Sequence, residues 1–127
     1  MEYLLDTHAF LWFINGSVDL SPRAKSIIQN SDNSIHLSIA SFWEIAIKLN
    51  NGKLAIDMSF EELKKEADKN DFRILTIKYE DTRILTSLEL FHRDPFDRIL
   101  IAQAIQNNLT MITKDANFDA YPVKIIW

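Results

Sequence analysis

The stretch MEYLLDTHAFLWFING, Met1–Gly16, decides how the rest of the chain is read. EYLL is a short apolar run suited to a buried strand, and after Asp6 and Thr7 the segment HAFLWFI reads as a helix ending at Asn15–Gly16. A strand that hands over directly to a helix is the repeating unit of α/β proteins. The same alternation continues along the chain. Ser21–Pro22 starts a helix through RAKSIIQN, SIHLS alternates as a strand, and ASFWEIAIKLNNG reads as a helix closed by Gly52. Ser59 and Glu62 form a capping box for FEELKKEADKN, whose charge marks a solvated outer face. FRILTI is predicted as the third strand and YEDTRILTSLEL as a helix. A further helix opens at Asp94, and LTMIT and VKIIW supply closing strands separated by the loop KDANFDAYP. The expectation is an α/β fold with a mainly parallel sheet covered on both faces. No repeat, linker or low-complexity segment interrupts residues 1–127, which read as one domain.

Composition excludes several functions. With no cysteine, disulfides, thiolate metal sites and thiol catalysis are ruled out, and a reducing cytoplasm is compatible. The N-terminal apolar run is interrupted by Glu2, Asp6 and His8 and lacks a basic leader, so neither a signal peptide nor a membrane span fits, and a soluble cytoplasmic protein is expected. A net charge of −4 argues against a broad basic surface for nucleic acid; any such role must be local or metal-assisted. The two glycines, Gly16 and Gly52, belong to no phosphate-cradling loop.

The acids are the informative residues. In FHRDPFDRILIAQA, Phe91–Ala104, Asp94 followed by Pro95 is a good helix start. Asp97 falls at the third helical position, where it can reach back to the cap as in a capping box. It also leads an apolar stripe of Leu100, Ile101 and Ala104, where a charge needs a partner. In parallel sheets ligands collect beyond the carboxyl ends of the strands. Asp6 directly follows the first strand, Asp115 lies three residues beyond Ile112, and Asp97 opens a helix reached from that rim. Glu44 sits in the middle of an otherwise apolar helix, in a polar stripe with Ser41 and Lys48. Each acid alone has a structural explanation: Asp6 as an N-cap, Asp115 as a loop aspartate, and Glu44 with Lys48 as a surface ion pair worth about 0.3–0.5 kcal/mol. Convergence is the stronger argument, since several acids on one rim repel each other unless a cation joins them. Oxygen ligands select Mg²⁺ or Mn²⁺ over zinc or copper, and carboxylate-held Mg²⁺ suits attack of metal-activated water on a phosphodiester. His8, His36 and His92 lack zinc-site spacing and read as core, strand or loop residues, with His8 near Asp6 the one to watch.

YLLDTHAFLWF, SIASFWEIAIKLNNGKL, HRDPFDRILIAQA and MITKDANFDAY, in this order and spacing, make the whole chain resemble PIN-domain ribonucleases, and most closely the VapC-like toxins of bacterial type II toxin–antitoxin pairs. The resemblance implies a three-layer α/β/α sandwich and a Mg²⁺- or Mn²⁺-dependent endoribonuclease with Asp6, Glu44, Asp97 and Asp115 as its acidic quartet. Asp94 competes with Asp97 for the third place, and Asp119 with Asp115 for the last. Thr7, Ser41 and Thr113 match small hydroxyl positions that orient carboxylates or water. Lys48, Arg93, Arg98 and Lys114 adjoin the acids and are candidates to grip RNA phosphates, although surface pairing is the commoner fate of such residues. The resemblance also implies a cognate antitoxin and a homodimer. Trp12, Phe13 and Trp43 are aromatic candidates for those contacts, weighed against core burial. Two other readings compete with it: a receiver-like Mg²⁺-binding signalling domain, and a catalytically silent partner-binding module on the same fold.

Overall fold

A computed structural model describes residues 1–127. Its five strands are β1 (Glu2–Leu5), β2 (Ser34–Ser38), β3 (Arg73–Leu75), β4 (Thr110–Ile112) and β5 (Ile125–Ile126). Its helices are α1 (Thr7–Asn15), α2 (Pro22–Gln29), α3 (Ile39–Asn50), α4 (Phe60–Lys69), α5 (Tyr79–Leu85) and α6 (Pro95–Asn107), with a short 3₁₀ helix at Ala116–Ala120. All strands are parallel, in the order β3-β2-β1-β4-β5. The expected α/β architecture with its parallel central sheet is therefore observed. The strand order is not the 2-1-3-4-5 arrangement of receiver domains, so that alternative falls.

Side-chain alternation divides the core. Tyr3 and Leu5 of β1, Ile35 and Leu37 of β2 and Ile112 of β4 point to one face, packing with Phe10, Ile28, Ile45 and Leu63. Leu4 and Met111 point to the other, against Leu100, Ile101 and Ala104 of α6. This period of two explains why EYLL and SIHLS are strands with the bounds expected of them. α6 is buried from Ile99 through Ala104, as befits a helix that is apolar on most sides. Its one buried polar residue there, Gln103, accepts from Ser38 Oγ at 2.5 Å and donates to the Thr76 carbonyl.

Three expectations need correction. The helix over YEDTRILTSLEL ends at Leu85, and residues 86–94 form a loop. The Ser59 side chain caps α4 through the Glu62 N–H, but Glu62 does not close the box. KDANFDAYP is not wholly irregular, because Asp115 caps the 3₁₀ helix within it.

The strand order sets the position of the site. From β1 the chain winds outward through β2 and β3, then crosses back to lay β4 and β5 on the other side of β1. The connections leaving β1 and β4 diverge at their carboxyl ends, which is where parallel sheets open a crevice.

Candidate active site

Register brings the first two site residues together. Leu5 of β1 pairs with Ile112 of β4, so Asp6 and Thr113 follow side by side. The Asp6 N–H donates to the Ile112 carbonyl at 3.2 Å, and Thr113 Oγ1 donates to Asp6 Oδ2 at 2.5 Å. The other carboxylate oxygen of Asp6 accepts from the Ala9 N–H at 2.7 Å, capping α1. Asp6 is thus both a cap and a site residue. Thr113 Oγ1 in turn accepts from the Asp115 N–H, which fixes the start of the following loop.

Asp94 caps α6 by accepting from the N–H groups of Phe96 and Asp97. Asp97 does not complete a capping box. Its carboxylate instead faces inward, with Oδ2 lying 2.9 Å from His92 Nε2. That nitrogen is also 3.5 Å from Asp115 Oδ2, and donor atoms of His92, Asp97 and Asp115 all lie within 4.8 Å of one another. Glu44 reaches the group from α3. Only 5 % exposed, it is held through Oε2 by Lys48 Nζ at 2.7 Å, while Oε1 is buried without a hydrogen-bond partner.

The electrostatics reflect this crowding. Burial, then repulsion from Asp94, Glu44 and Asp6, pushes the Asp97 carboxyl up to about 7 against the attraction of His92. Asp6 is likewise raised, chiefly by burial and further by Asp115; the Thr113 and Ala9 hydrogen bonds and His8 oppose the shift. The N-termini of α1 and α6 point at the cluster, and their partial positive charge offsets some of the repulsion.

Asp97 and Asp115 come within coordinating separations of each other and of His92, and Asp6 and Glu44 lie close enough to repel Asp97, while Asp94 serves its helix and Asp119 is exposed outside the cluster. Of the small hydroxyls, Thr113 holds a carboxylate, whereas Thr7 donates to Ser41 Oγ at 3.0 Å and ties α1 to α3. The basic residues separate. Arg93 is exposed, Lys114 lies over the Trp12 ring, Lys48 neutralises Glu44, and Arg98 is committed to the carbonyls of Leu88, Glu89 and His92. Trp12 and Phe13 pack against the core, but Trp43 is 58 % exposed. His92, expected to be an ordinary loop residue, is the participant that sequence reasoning missed. Its only local signal was proximity to Asp94 and Asp97.

The donor set fits a divalent ion: three ligand atoms lie at coordinating separations, a buried carboxylate oxygen has no other partner, and the acids are strained by mutual repulsion. A five-stranded parallel sheet with acids gathered at its crevice is the arrangement of a PIN domain, and the PIN domain family model matches residues 3–124, so the chain belongs to that family. PIN domains are in general nucleases, and they typically use divalent metals.

The fold is similar to that of VapBC2 from Rickettsia felis bound to a promoter DNA fragment, with a TM-score of 0.70 at 20% identity, covering 99% of this chain and 98% of that one. It is also similar to FitAcB from Neisseria gonorrhoeae, with a TM-score of 0.67 at 20% identity over 100% and 97% of the two chains. A toxin–antitoxin complex from Klebsiella pneumoniae gives a TM-score of 0.66 at 18% identity over 98% and 96%. Among curated proteins, no sequence matches.

Proposed function

We propose that this protein is a divalent-metal-dependent endoribonuclease that cleaves RNA phosphodiester bonds, and that it is the toxin of a toxin–antitoxin pair. The observation that carries the reading is the meeting of Asp6, Glu44, Asp97 and Asp115, from four separate parts of the chain, at the crevice beside β1 and β4. Asp6, Asp97 and Asp115 would hold Mg²⁺ or Mn²⁺, with Glu44 beside them. When bound, the ion supplies charge neutralisation at the phosphate and a water of lowered pKa.

The chain's own residues prepare that chemistry. Thr113 and the Ala9 N–H lock Asp6 in one orientation, so its carboxylate is presented without reorganisation. Lys48 neutralises one oxygen of Glu44 and leaves Oε1 to accept a proton or orient a water. Arg93 and Lys114 are exposed near the rim and available to flanking phosphates.

A protein partner is supported by α3. Ile39, Trp43 and Ile47 recur every fourth residue and are all exposed, forming an apolar stripe on the helix that carries Glu44. Such a stripe suits an amphipathic segment of an antitoxin or a second copy of the chain. The similar folds of VapBC2, of FitAB and of a toxin–antitoxin complex favour the former. No helix is long and apolar enough to cross a membrane, and a cytoplasmic site of action is part of the proposal. The test is cleavage of an RNA pool with Mn²⁺ by the parent, Asp6→Asn and Asp97→Asn. Loss of cleavage in both variants is expected; undiminished cleavage in both rejects the site.

A further inference from the structure

An imidazole stands among the carboxylates. An octahedral ion with bonds of about 2.1 Å has neighbouring ligands about 3.0 Å apart and opposite ones about 4.2 Å apart. His92 Nε2 lies 2.9 Å from Asp97 Oδ2 and 3.5 Å from Asp115 Oδ2, so all three atoms fit around one ion with sub-ångström adjustment. The approach to Asp97 lacks hydrogen-bond alignment, and Nε2 is buried without a partner. Glu44 Oε1, on a nearly fully buried side chain, is in the same condition and acts on the same carboxylate. Two buried polar atoms beside the same carboxylate thus lack a partner, the condition that a cation in the crevice would relieve.

The loop bearing His92 is held from two directions. Arg98 Nη1 donates to the carbonyls of Glu89 at 2.8 Å and His92 at 3.2 Å, and Nη2 donates to that of Leu88 at 3.1 Å. The Tyr121 hydroxyl donates to the Glu89 carbonyl and accepts from the His92 N–H, each at 2.8 Å. Phe118 sets its ring against the imidazole, with centroids 5.9 Å apart. Backbone N–H and C=O of His92 are thus both tied to other elements, which fixes the main chain from which its ring reaches the acids.

We propose that His92 is a nitrogen ligand of this metal site, positioned by Arg98 and Tyr121, and that it biases the site toward nitrogen-accepting transition ions over Mg²⁺. The inference rests on the metal-dependent reading above. Carboxylates alone suit hard ions, whereas imidazole strengthens binding along the series from Mn²⁺ to Co²⁺ and adds little for Mg²⁺. Ligation through Nε2 requires the neutral ring with its proton on Nδ1.

The metal-free full chain is titrated calorimetrically with Co²⁺, Mn²⁺ and Mg²⁺, alongside His92→Ala and Tyr121→Phe. For His92→Ala, Co²⁺ affinity should fall about 10–100-fold while Mg²⁺ affinity changes by less than about 3-fold; Tyr121→Phe should show a smaller loss with the same selectivity. Pulsed EPR of the Mn²⁺-loaded parent should show ¹⁴N coupling that disappears in His92→Ala. Equal losses for Co²⁺ and Mg²⁺, or no ¹⁴N coupling in a parent that does bind Mn²⁺, overturns the ligand role alone. A parent that binds none of the three ions overturns the metal-dependent reading as well. If His92→Ala does not fold, the ¹⁴N signal of the parent decides.

Discussion

Replacing Asp97 by asparagine should stabilise the metal-free protein at neutral pH and lose that benefit in acid. The Asp97 carboxyl is raised from 3.8 to about 7 by burial and by its acidic neighbours. Between those values the folded chain keeps a proton that the unfolded chain has released, so stability falls as pH rises from about 4 to about 7 and levels off above. The full shift corresponds to a ceiling of about 4 kcal/mol. The side chain is 26% exposed, and solvent screening reduces the realised penalty to roughly 1–2 kcal/mol. Against this stands the interaction of a first-turn aspartate with the α6 dipole, about 0.3–1 kcal/mol, which asparagine forfeits. The net expectation is a gain of about 1 kcal/mol at about pH 8, or a few degrees in Tm. It should vanish or reverse near pH 4. Urea denaturation in EDTA at both pH values is the assay. Saturating Mn²⁺ should invert the order, since a ligand at 100 times its Kd stabilises the parent by about 2.7 kcal/mol and the variant by less. A variant less stable than the parent by the same margin at both pH values, without metal, would refute the reasoning and return Asp97 to a purely helical role.

Other expectations are independent of that titration. Thr113→Val removes the donor to Asp6 Oδ2 and the acceptor of the Asp115 N–H, and should cost about 1–3 kcal/mol in urea denaturation, with Thr113→Ser largely restoring it. Arg98→Lys cannot reproduce a guanidinium fork spread over three carbonyls, so a loss of about 2 kcal/mol is expected; unchanged stability with weakened RNA binding would instead assign Arg98 to phosphate contact. Trp43→Ser removes an exposed ring that touches only Phe96 among the aromatic residues, at 5.1 Å. It should change stability by about 1 kcal/mol or less while weakening association with a partner chain in size-exclusion chromatography.

Local rules account for much of the architecture. β1 and β2 are legible because their apolar residues alternate or cluster within a few positions, and α1, α2 and α6 because Asp6, Ser21 and Asp94 cap them from adjacent sequence. Where residues 86–90 leave the helix expected of them, the cause lies outside the segment: Arg98 and Tyr121 capture the carbonyls of Leu88 and Glu89. The Tyr121 contact, 32 residues away, lies beyond any local window. The same holds for His92, whose neighbours in sequence do not disclose that its ring meets Asp97 and Asp115. Trp43, an aromatic in an apolar helix, was open to a core reading, but the packing turns it outward.

By itself, the chain determined the strand–helix alternation, the parallel sheet and the list of acids that merit attention, because each follows from periodicity and capping over a few residues. Tertiary structure decided which of those acids meet. The β1–β4 register sets Asp6 beside Thr113, the crossover from β3 to β4 returns Asp97 and Asp115 to the same crevice, and burial among those neighbours raises the proton affinity of Asp6 and Asp97.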